Sequence, residues 1–558
     1  MQPFLHTPLW RALSAALLGL PLAFNSQAQV LPDAGQALES LEQSRPKMPA
    51  PAAIDLTLPG DATPASADTG PAIDVKRFAI DGNSAIAADE LLALLEPLQG
   101  QSLTLGQLQA GAVRITQLYR QRGYPFANAY LPAQEVQDGL VRVSVLEGRL
   151  GEVKVDNQSR QQAWVVDAPL HRLHAGDLLR GDALETSLLL LSDTPGVRSQ
   201  ASLQPGAEVG TSDLVVTVRD APLVSGSLGL DNYGNRYTGQ YRTSASLQLN
   251  GALGLGEQIQ LQGVLTSEKL RNYRLGLQMP VGPWSTRVGV STSHLSYDLG
   301  KEFAALDAYG RAQVASVFVS QPLLRRRALS LNARLQYDQK RLTDDIGLTG
   351  SQNKKRSNVT TLGLDGSWRD GLGGGAVSQF GLAWAHGQLR LGSEAQQQRD
   401  ARTTLSAGSF QVLTASLARW QTLSGPWSLH GRINGQWANK NLDSSEKMSL
   451  GGAYGVRAYP QGEATGDKGV QATLELRYAL SNAWQLSGFM DGGRVQFQHK
   501  PWSTGQNHRN LAGAGLGVLR SGADWSLEAA LAWKVSGATA TSAPDRSPRL
   551  WVKIQKSF

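Results

Sequence analysis

The feature that most constrains this chain is the strict alternation of apolar and polar residues over long segments after Pro222. In one such segment every second residue is apolar, namely Trp525, Leu527, Ala529, Leu531, Trp533 and Val535. A period of two predicts β-strands with one apolar face. These segments exceed the ~5–6 residues typical of globular strands and suit the ~9–11 tilted residues that cross a bilayer. The alternation therefore favours strands that span a membrane.

The connections between these segments also favour a transmembrane barrel. Short turns, such as 371–375 and 424–426, alternate with longer polar loops, such as 343–356 and 439–466, as on the two sides of an outer-membrane barrel. Four short turns are followed directly by a tryptophan, at the level of an interfacial girdle: Trp284, Trp427, Trp484 and Trp525. The alternative is that these tryptophans fill a soluble core. We predict a mainly β protein with a 16-stranded antiparallel barrel over residues 222–558.

The N-terminal segment predicts export and a tethered helix. Arg11, an apolar run and the small residues Ser26 to Ala28 are typical of a signal peptide, which we place at 1–28 rather than interpret as a membrane anchor. The segment 29–44 contains a short amphipathic helix, Gly35 to Ser44, with Leu38 and Leu41 on one face. The proline-rich stretch 45–72 predicts an extended linker.

Composition and motifs give no support to several classes of function. The 558 residues include no cysteine, which excludes disulfides and cysteine-ligated metals. The net charge of +7 is a small surplus over such a length and does not favour a nucleic-acid partner. The chain contains no H-E-x-x-H, G-x-S-x-G, G-x-G-x-x-G or P-loop motif, and His171 and His174 have no apparent third ligand nearby. We expect no enzymatic activity, cofactor or metal site.

Two compact α/β units are predicted between the linker and the barrel, over 73–150 and 151–221. In the first unit we predict a strand, two helices and two strands, in the order 75–80, 88–98, 105–122, 127–131 and 140–146. The same order is repeated more faintly in the second unit.

Several motifs then resemble one family. The stretch 118–150 resembles the end of a POTRA domain of the kind found in haemolysin secretion/activation proteins, and 203–218 resembles the end of their second POTRA domain. The matching residues in the first stretch are Tyr119, Gly123, Tyr124, Leu131, Pro132, Gln134, Gly139, Glu147 and Gly148. GGAYGVRAYPQGEATGDKG, 451–469, is similar to the family's inward-folded loop, and FMDGG, 489–493, resembles the strand motif that meets it. The final Phe558 resembles the C-terminal assembly signal of outer-membrane barrels.

The resemblance implies a two-partner secretion transporter with a plug helix, two POTRA domains and a barrel whose loop 439–467 folds inward. It also implies a loop–barrel lock, which we define as Val456, Arg457, Tyr459, Phe489, Asp491 and Gly493. In this lock Arg457 is expected to pair with Asp491, because a buried guanidinium needs a carboxylate. Ala458 departs from the family pattern, which usually has glycine at this position.

The implied function is export of a large, β-helical partner exoprotein from the periplasm to the cell surface. Strand addition to a POTRA sheet edge is the natural way to capture an unfolded chain. The other expected partners are outer-membrane lipid and, during biogenesis, the barrel-assembly machinery; no nucleic acid is expected, and the protein is expected to be monomeric. The alternatives are an assembly insertase of the same superfamily and a passive porin or receptor. The basic run 325–327 is expected to be a solvated turn or, less favoured, a partner contact.

Overall fold

The computed structural model describes residues 31–42, 56–57 and 71–558. The predicted signal peptide, 1–28, and most of the predicted linker lie outside the described residues. Among the residues described, no helix is both long and apolar enough to cross a membrane.

The N-terminal helix and a fragment of the linker are both ordered. Helix α1 (Ala34–Glu42) lies where the amphipathic pattern predicts a helix, and the predicted end at Ser44 falls outside the described residues. Asp33 caps it, since its carboxylate accepts a hydrogen bond from the Gln36 amide at 3.0 Å. Further along, β1 (Leu56–Thr57) pairs in parallel with a strand of the second α/β unit. The described part of the linker is therefore attached to that unit through β1.

The first α/β unit packs one long helix on a small sheet. Its elements are β2 (Ile73–Val75), β3 (Arg77–Asp81), α2 (Ala88–Ala93), β4 (Gln101–Leu103), α3 (Leu105–Gln121), β5 (Asn128–Tyr130) and β6 (Leu140–Leu146). Helix α3 begins in a capping box formed by Thr104 and Gln107. Its apolar face, including Ile115 and Tyr119, packs against Val143 in one core. The predicted first strand is split in two, and β2 pairs with β4 in a separate ribbon.

The second unit has the same plan. Its elements are β7 (Arg149–Asn157), α4 (Ala163–Asp167), α5 (Gly181–Ser192), β8 (Val197–Pro205) and β9 (Thr211–Asp220). The sheet has the order β1-β8-β9-β7, so the linker fragment forms its edge. Leu188 and Leu191 of α5 pack against Leu214 and Val216 of β9.

The C-terminal region forms a closed antiparallel barrel of sixteen strands, which confirms the predicted fold class. The strands from here on are β10 (Val224–Asp231), β11 (Arg242–Asn250), β12 (Gln258–Thr266), β13 (Arg271–Val281), β14 (Thr286–Asp298), β15 (Ala308–Arg325), β16 (Leu329–Ile346), β17 (Ser351–Asp370), β18 (Ala376–Leu391), β19 (Gly408–Thr422), β20 (Trp427–Ala438), β21 (Met448–Ser449), β22 (Thr465–Gly466), β23 (Lys468–Ala479), β24 (Trp484–Gln496), β25 (His508–Ser521), β26 (Trp525–Ser536) and β27 (Arg549–Ser557). Strands β21 and β22 form a ribbon of their own, and the other sixteen close the barrel. A 3-10 turn lies in the loop between β14 and β15, and α6 (Glu394–Arg402) lies between β18 and β19.

The longest strands extend beyond their predicted ends. We predict a loop over 343–356, but β16 continues to Ile346 and β17 begins at Ser351, so this loop prediction is wrong for most of its length. Paired backbone groups satisfy their hydrogen bonds in the sheet even where the side chains are polar, so a polar segment need not be a loop. The hairpin therefore continues past the apolar part of the barrel wall.

The C-terminus closes the barrel. Strand β27 pairs with β10, and Phe558 exchanges two backbone hydrogen bonds with Gly226, at 2.9 and 3.0 Å. The Phe558 side chain is exposed on the outside of the barrel. Its role as an assembly signal stays a prediction.

The basic run 325–327 contacts the second α/β unit. Arg325 binds both carboxylate oxygens of Asp193, at 2.6 and 2.8 Å, and Arg326 lies 3.0 Å from Asp182. The Arg327 amide donates to Glu185 at 2.6 Å. The expectation of a merely solvated turn is therefore wrong, because these acidic groups on and beside α5 hold the unit against the barrel.

Candidate functional site in the barrel lumen

The loop 439–467 between β20 and β23 folds into the lumen and is held there by a buried ion pair. Arg457 donates from Nε and Nη2 to the two carboxylate oxygens of Asp491, at 2.7 and 2.9 Å. Its Nη1 donates to Glu475 at 3.1 Å, and its guanidinium lies 3.2 Å from the centre of the Phe489 ring. Arg457 is 2% exposed and Asp491 is 3% exposed. Two carboxylates and an aromatic face therefore replace the water around this cation.

The other residues of the loop–barrel lock lie around this pair. Val456 and Tyr459 are completely buried, and Tyr459 Oη donates to the Ser536 carbonyl at 3.1 Å. At Gly493 an added Cβ would lie 2.9 Å from Leu450 of the loop, so the wall must have glycine there for the loop to approach. The structure thus brings all six predicted lock residues into one region.

Ala458, which departs from the family pattern, has a compensating neighbour. A Cβ placed on Gly513 of β25 would lie 2.5 Å from the Ala458 methyl group. The extra methyl of Ala458 therefore fits because the facing position on the wall is glycine.

A second anchor of the loop has no counterpart in the sequence predictions. Glu463, fully buried, pairs with Arg509 at 2.6 Å and accepts hydrogen bonds from the backbone amides of Thr541 and Ser542. These contacts join the loop to β25 and to the segment after β26. Glu463 lies within the loop motif 451–469, but the motif does not identify its partners, because they are distant in the chain.

Helix α1 also lies inside the barrel. Ala34 and Ala37 pack in one apolar cluster with Leu295 of β14 and Ala312 of β15. Of the two predicted face residues, Leu38 is 4% exposed and Leu41 is partly buried against this cluster. The Ala34 amide donates to Asp344 of β16 at 2.7 Å. The helix thus occupies the lumen beside β14–β16.

One lysine joins α1, the loop and the barrel wall. Lys355 of β17 lies 3.1 Å from Asp33, which caps α1, and 2.7 Å from Asp443 of the loop. Ser444 of the loop also donates to Asp33, at 2.6 Å. This bridge is not predictable from the sequence, because nothing local distinguishes Lys355 from its neighbour Lys354.

The lumen also contains a cavity with charged side chains on its walls. A cavity of about 680 Å³ lies between α1 and the loop, with Glu39, Lys340, Arg432 and Glu446 on its walls. Both lumenal elements border this cavity, so displacement of either one widens it.

The POTRA motif forms a buried network around Glu147. Its carboxylate accepts hydrogen bonds from the amides of Ser84 and Ala85, at 2.5 and 2.7 Å, and from the Tyr119 hydroxyl at 2.8 Å. Burial alone would raise the pKa of Glu147, but these hydrogen bonds hold that pKa below its usual value. Burial and the neighbouring carboxylate raise the pKa of Tyr119. The network ties α3 to the turn after β3.

The other motif residues shape turns next to this network. Gly123, Gly139 and Gly148 adopt φ values of 91°, 71° and 74°, which only glycine adopts readily. Tyr124 packs edge-on against Tyr119, and Gln134 binds both backbone groups of Arg142, at 2.7 and 2.8 Å. The Pro132 carbonyl accepts a long contact of 3.4 Å from Gln134. These positions therefore serve the fold of the unit.

Replacing Glu147 with glutamine is expected to destabilise the first POTRA unit by about 1–3 kcal/mol, since buried donors lose their charged acceptor. A lowered pKa contributes stability that is complete above the ordinary carboxyl value of about 4.3 and is lost as pH falls through the folded value. The protection of α3 against hydrogen exchange in the full wild-type chain, taken relative to an unstructured peptide at the same pH, should therefore fall below about pH 4. The difference in α3 protection between the wild type and Glu147→Gln should become smaller over the same pH range.

Glu90→Gln is the matched control for this experiment, because Glu90 forms an exposed pair with Arg122. Equal exchange rates in Glu147→Gln and Glu90→Gln at neutral pH would contradict the assigned network.

A closed barrel preceded by two POTRA-type units and filled by a loop and a helix defines the POTRA–barrel class of outer-membrane proteins. The profile of the family described as "Haemolysin secretion/activation protein ShlB/FhaC/HecB" matches residues 210–519, and that of "POTRA domain, ShlB-type" matches 73–148. The chain therefore belongs to the haemolysin secretion/activation protein family.

Relatives and solved structures agree with this assignment. The "Heme/hemopexin transporter protein HuxB" of Haemophilus influenzae strain Rd is 30% identical over 476 residues, which cover 84% of this chain and 83% of that protein. The structure of CdiB from Escherichia coli matches with a TM-score of 0.69 and 21% identity, over 94% of this chain and 96% of that chain. BamA from Haemophilus ducreyi lacking POTRA domains 1–3 has a lower TM-score of 0.53, with 15% identity over 87% and 100% of the chains.

The family fixes the location and the general activity. The protein is an outer-membrane transporter of two-partner secretion, which exports a partner protein, and its POTRA domains lie in the periplasm. The predicted recognition, function and localisation are thus confirmed.

Proposed function

We propose that a large β-helical exoprotein crosses the lumen as an extended chain after α1 leaves and the loop–barrel lock opens. The observation that carries this mechanism is that Lys355 joins α1 and the loop to the wall, so the two obstacles in the lumen share one polar contact. Ion pairs and hydrogen bonds of this kind can be replaced by contacts with water when the lumen opens. Opening the barrel wall would instead break the hydrogen bonds between its strands. Folding outside the cell then makes return unfavourable, because apolar surface becomes buried.

Capture of the partner is proposed to occur at the outer edge of β8. Leu56 and Thr57 pair there with Ala201 and Ser202, which supports the idea that this edge accepts an added strand. Backbone hydrogen bonds bind an extended chain whatever its side chains are. A partner strand at this position would replace the linker fragment.

The absence of cysteine from the chain makes this capture site testable by cross-linking. We expect Ser202→Cys to form a mixed disulfide with single cysteines in the secretion domain of the partner. Asp156→Cys, on β7 at the opposite edge of the same sheet, is the matched control. Cross-links of equal yield at Asp156→Cys and Ser202→Cys would contradict capture at β8.

The partner is proposed to be a single dedicated exoprotein of the adhesin or haemolysin class, and the transporter to act as a monomer without catalytic activity. Quantitative proteomics of culture medium and outer membrane, with and without the gene, tests this. Loss of one large protein from the medium alone is expected. Broad depletion of outer-membrane barrels would instead indicate an assembly insertase, the alternative function.

A further inference from the structure

A row of arginines crosses the outer surface of the barrel at its extracellular end. Arg341 of β16 lies directly opposite Arg356 of β17, and Arg356 lies directly opposite Arg390 of β18. Each side chain points outward, because its chain neighbours Lys340, Ser357 and Leu389 are buried inside the barrel. All three arginines are exposed. We call these three residues the arginine row.

The arginine row carries an uncompensated charge. Within residues 31–42, 56–57 and 71–558, no acidic side chain forms an ion pair with any of the three arginines, and Arg341 has only a 3.3 Å contact with Gln339. Like charges directly opposite each other on neighbouring strands, about 5 Å apart, destabilise a sheet. Asp345, on the same face by alternation, is buried and accepts a hydrogen bond from Gln352. A bound anion would remove this repulsion.

The rows below it show where the arginine row lies relative to the bilayer. Going toward the periplasm, the same three strands present, on the same face, the rows Gln339–Asn358–Gln388, Tyr337–Thr360–His386 and Leu335–Leu362–Trp384. From the extracellular end toward the periplasm, the side chains on this face are therefore first arginines, then amides, then a mixed row with two aromatic rings, and finally apolar residues. Two residues of a tilted strand rise about 5 Å, so the arginine row lies roughly 15 Å beyond the apolar row. Arg341 also lies twelve residues, or about 30 Å, from Leu329 at the periplasmic end of β16. A hydrocarbon core about 30 Å thick then places the arginine row at the level of the lipid headgroups.

The amide row adds a second feature of a binding surface. Asn358 Oδ1 is buried and accepts no hydrogen bond within the described part of the chain. Asn358 as a whole is partly exposed and Gln388 beside it is exposed, so the row presents amide groups to a ligand hydroxyl. This face of the barrel therefore presents guanidinium groups at one level and amide groups about 5 Å below them.

We propose that this face of β16–β18 binds a phosphorylated glycolipid of the outer leaflet, of the lipid A type. Its phosphates would lie on the arginine row, where a guanidinium binds phosphate through two parallel hydrogen bonds. Its sugar hydroxyls would reach the amide row, and its acyl chains would cover the apolar row. The lipid would thereby brace the long hairpin that contacts α1 and the loop from inside.

The test measures binding of bis-phosphorylated lipid A to the purified full chain in detergent by native mass spectrometry. The double variant Arg356→Gln with Arg390→Gln is expected to bind about tenfold to thirtyfold more weakly. The control double variant Arg271→Gln with Arg494→Gln removes the same charge from outward positions whose cross-strand neighbours are uncharged, and its affinity should change less than about threefold.

Two comparison lipids show whether the protein recognises the phosphates of lipid A. One is dephosphorylated lipid A, and the other is phosphatidylglycerol. Weak binding of both is expected, whereas equal binding of either one would overturn a lipid A phosphate site. Equal losses in the two double variants, or no loss in the first, would also overturn it. Heat-modifiable migration in electrophoresis verifies that each barrel is folded, and Arg390→Gln alone gives a second, milder variant with a smaller expected loss.

Discussion

Arg457→Ala is expected to reduce secretion of the partner at least tenfold while leaving a folded barrel in the outer membrane. The substitution leaves Asp491 buried without its cation, while Glu475 keeps Arg477, and loss of one member of a buried pair costs about 3–5 kcal/mol. The cost falls on the inward position of the loop rather than on the strand pairing of the barrel. The measurement is the amount of partner in the medium, with heat-modifiable migration as the test of barrel folding.

Arg477→Ala is the matched control for this prediction. Arg477 binds the same Glu475, at 2.8 Å, but it lies on β23 of the wall and not on the loop. Arg477→Ala therefore removes the same charge from the same cluster without detaching the loop. Normal secretion by Arg457→Ala, or equal defects in the two variants, would contradict the assigned role of the lock.

Lys355→Met is expected to raise the conductance of the resting pore in planar bilayers severalfold. Without the lysine, Asp33 and Asp443 lie near each other with no cation between them, so both α1 and the loop lose a wall contact. A change of about 3 kcal/mol shifts an open–closed equilibrium by roughly two orders of magnitude. Deleting residues 34–42 should raise conductance at least as much, without abolishing export.

Lys354→Met is the control for this second prediction. Lys354 adjoins Lys355 on β17 but is exposed, and alternation places it on the opposite face of the strand. Its removal should leave conductance unchanged. Equal conductance of wild type, Lys355→Met and the helix deletion would contradict a plug held by Lys355.

Local patterns account for most of the correct predictions. The alternation in segments such as 525–535 depends only on which residues face lipid, and this repeats along each strand. The prediction failed where that pattern stopped. Residues 343–346 and 351–356 extend their strands past the apolar part of the barrel wall, where no apolar face marks them as strands.

Only those residues of the candidate site that lie in the quoted motifs were predicted. The resemblance paired Arg457 with Asp491, but nothing in the sequence singled out Glu463 or Lys355. The contact of Arg325 with Asp193 was missed for the same reason, since a charged residue has no local mark of its partner.

The barrel and the two α/β units could be predicted from local patterns, because period-two alternation and helical periodicity are properties of neighbouring residues. The residues of the loop–barrel lock came from the family resemblance. Contacts between distant groups depend on the folded chain. Lys355 binds Asp33, 322 residues away, and Asp443, 88 residues away. The pairing of β1 with β8 and the alignment of the arginine row also depend on strand register. Register places residues from separate strands side by side, and no local pattern specifies which residues these will be.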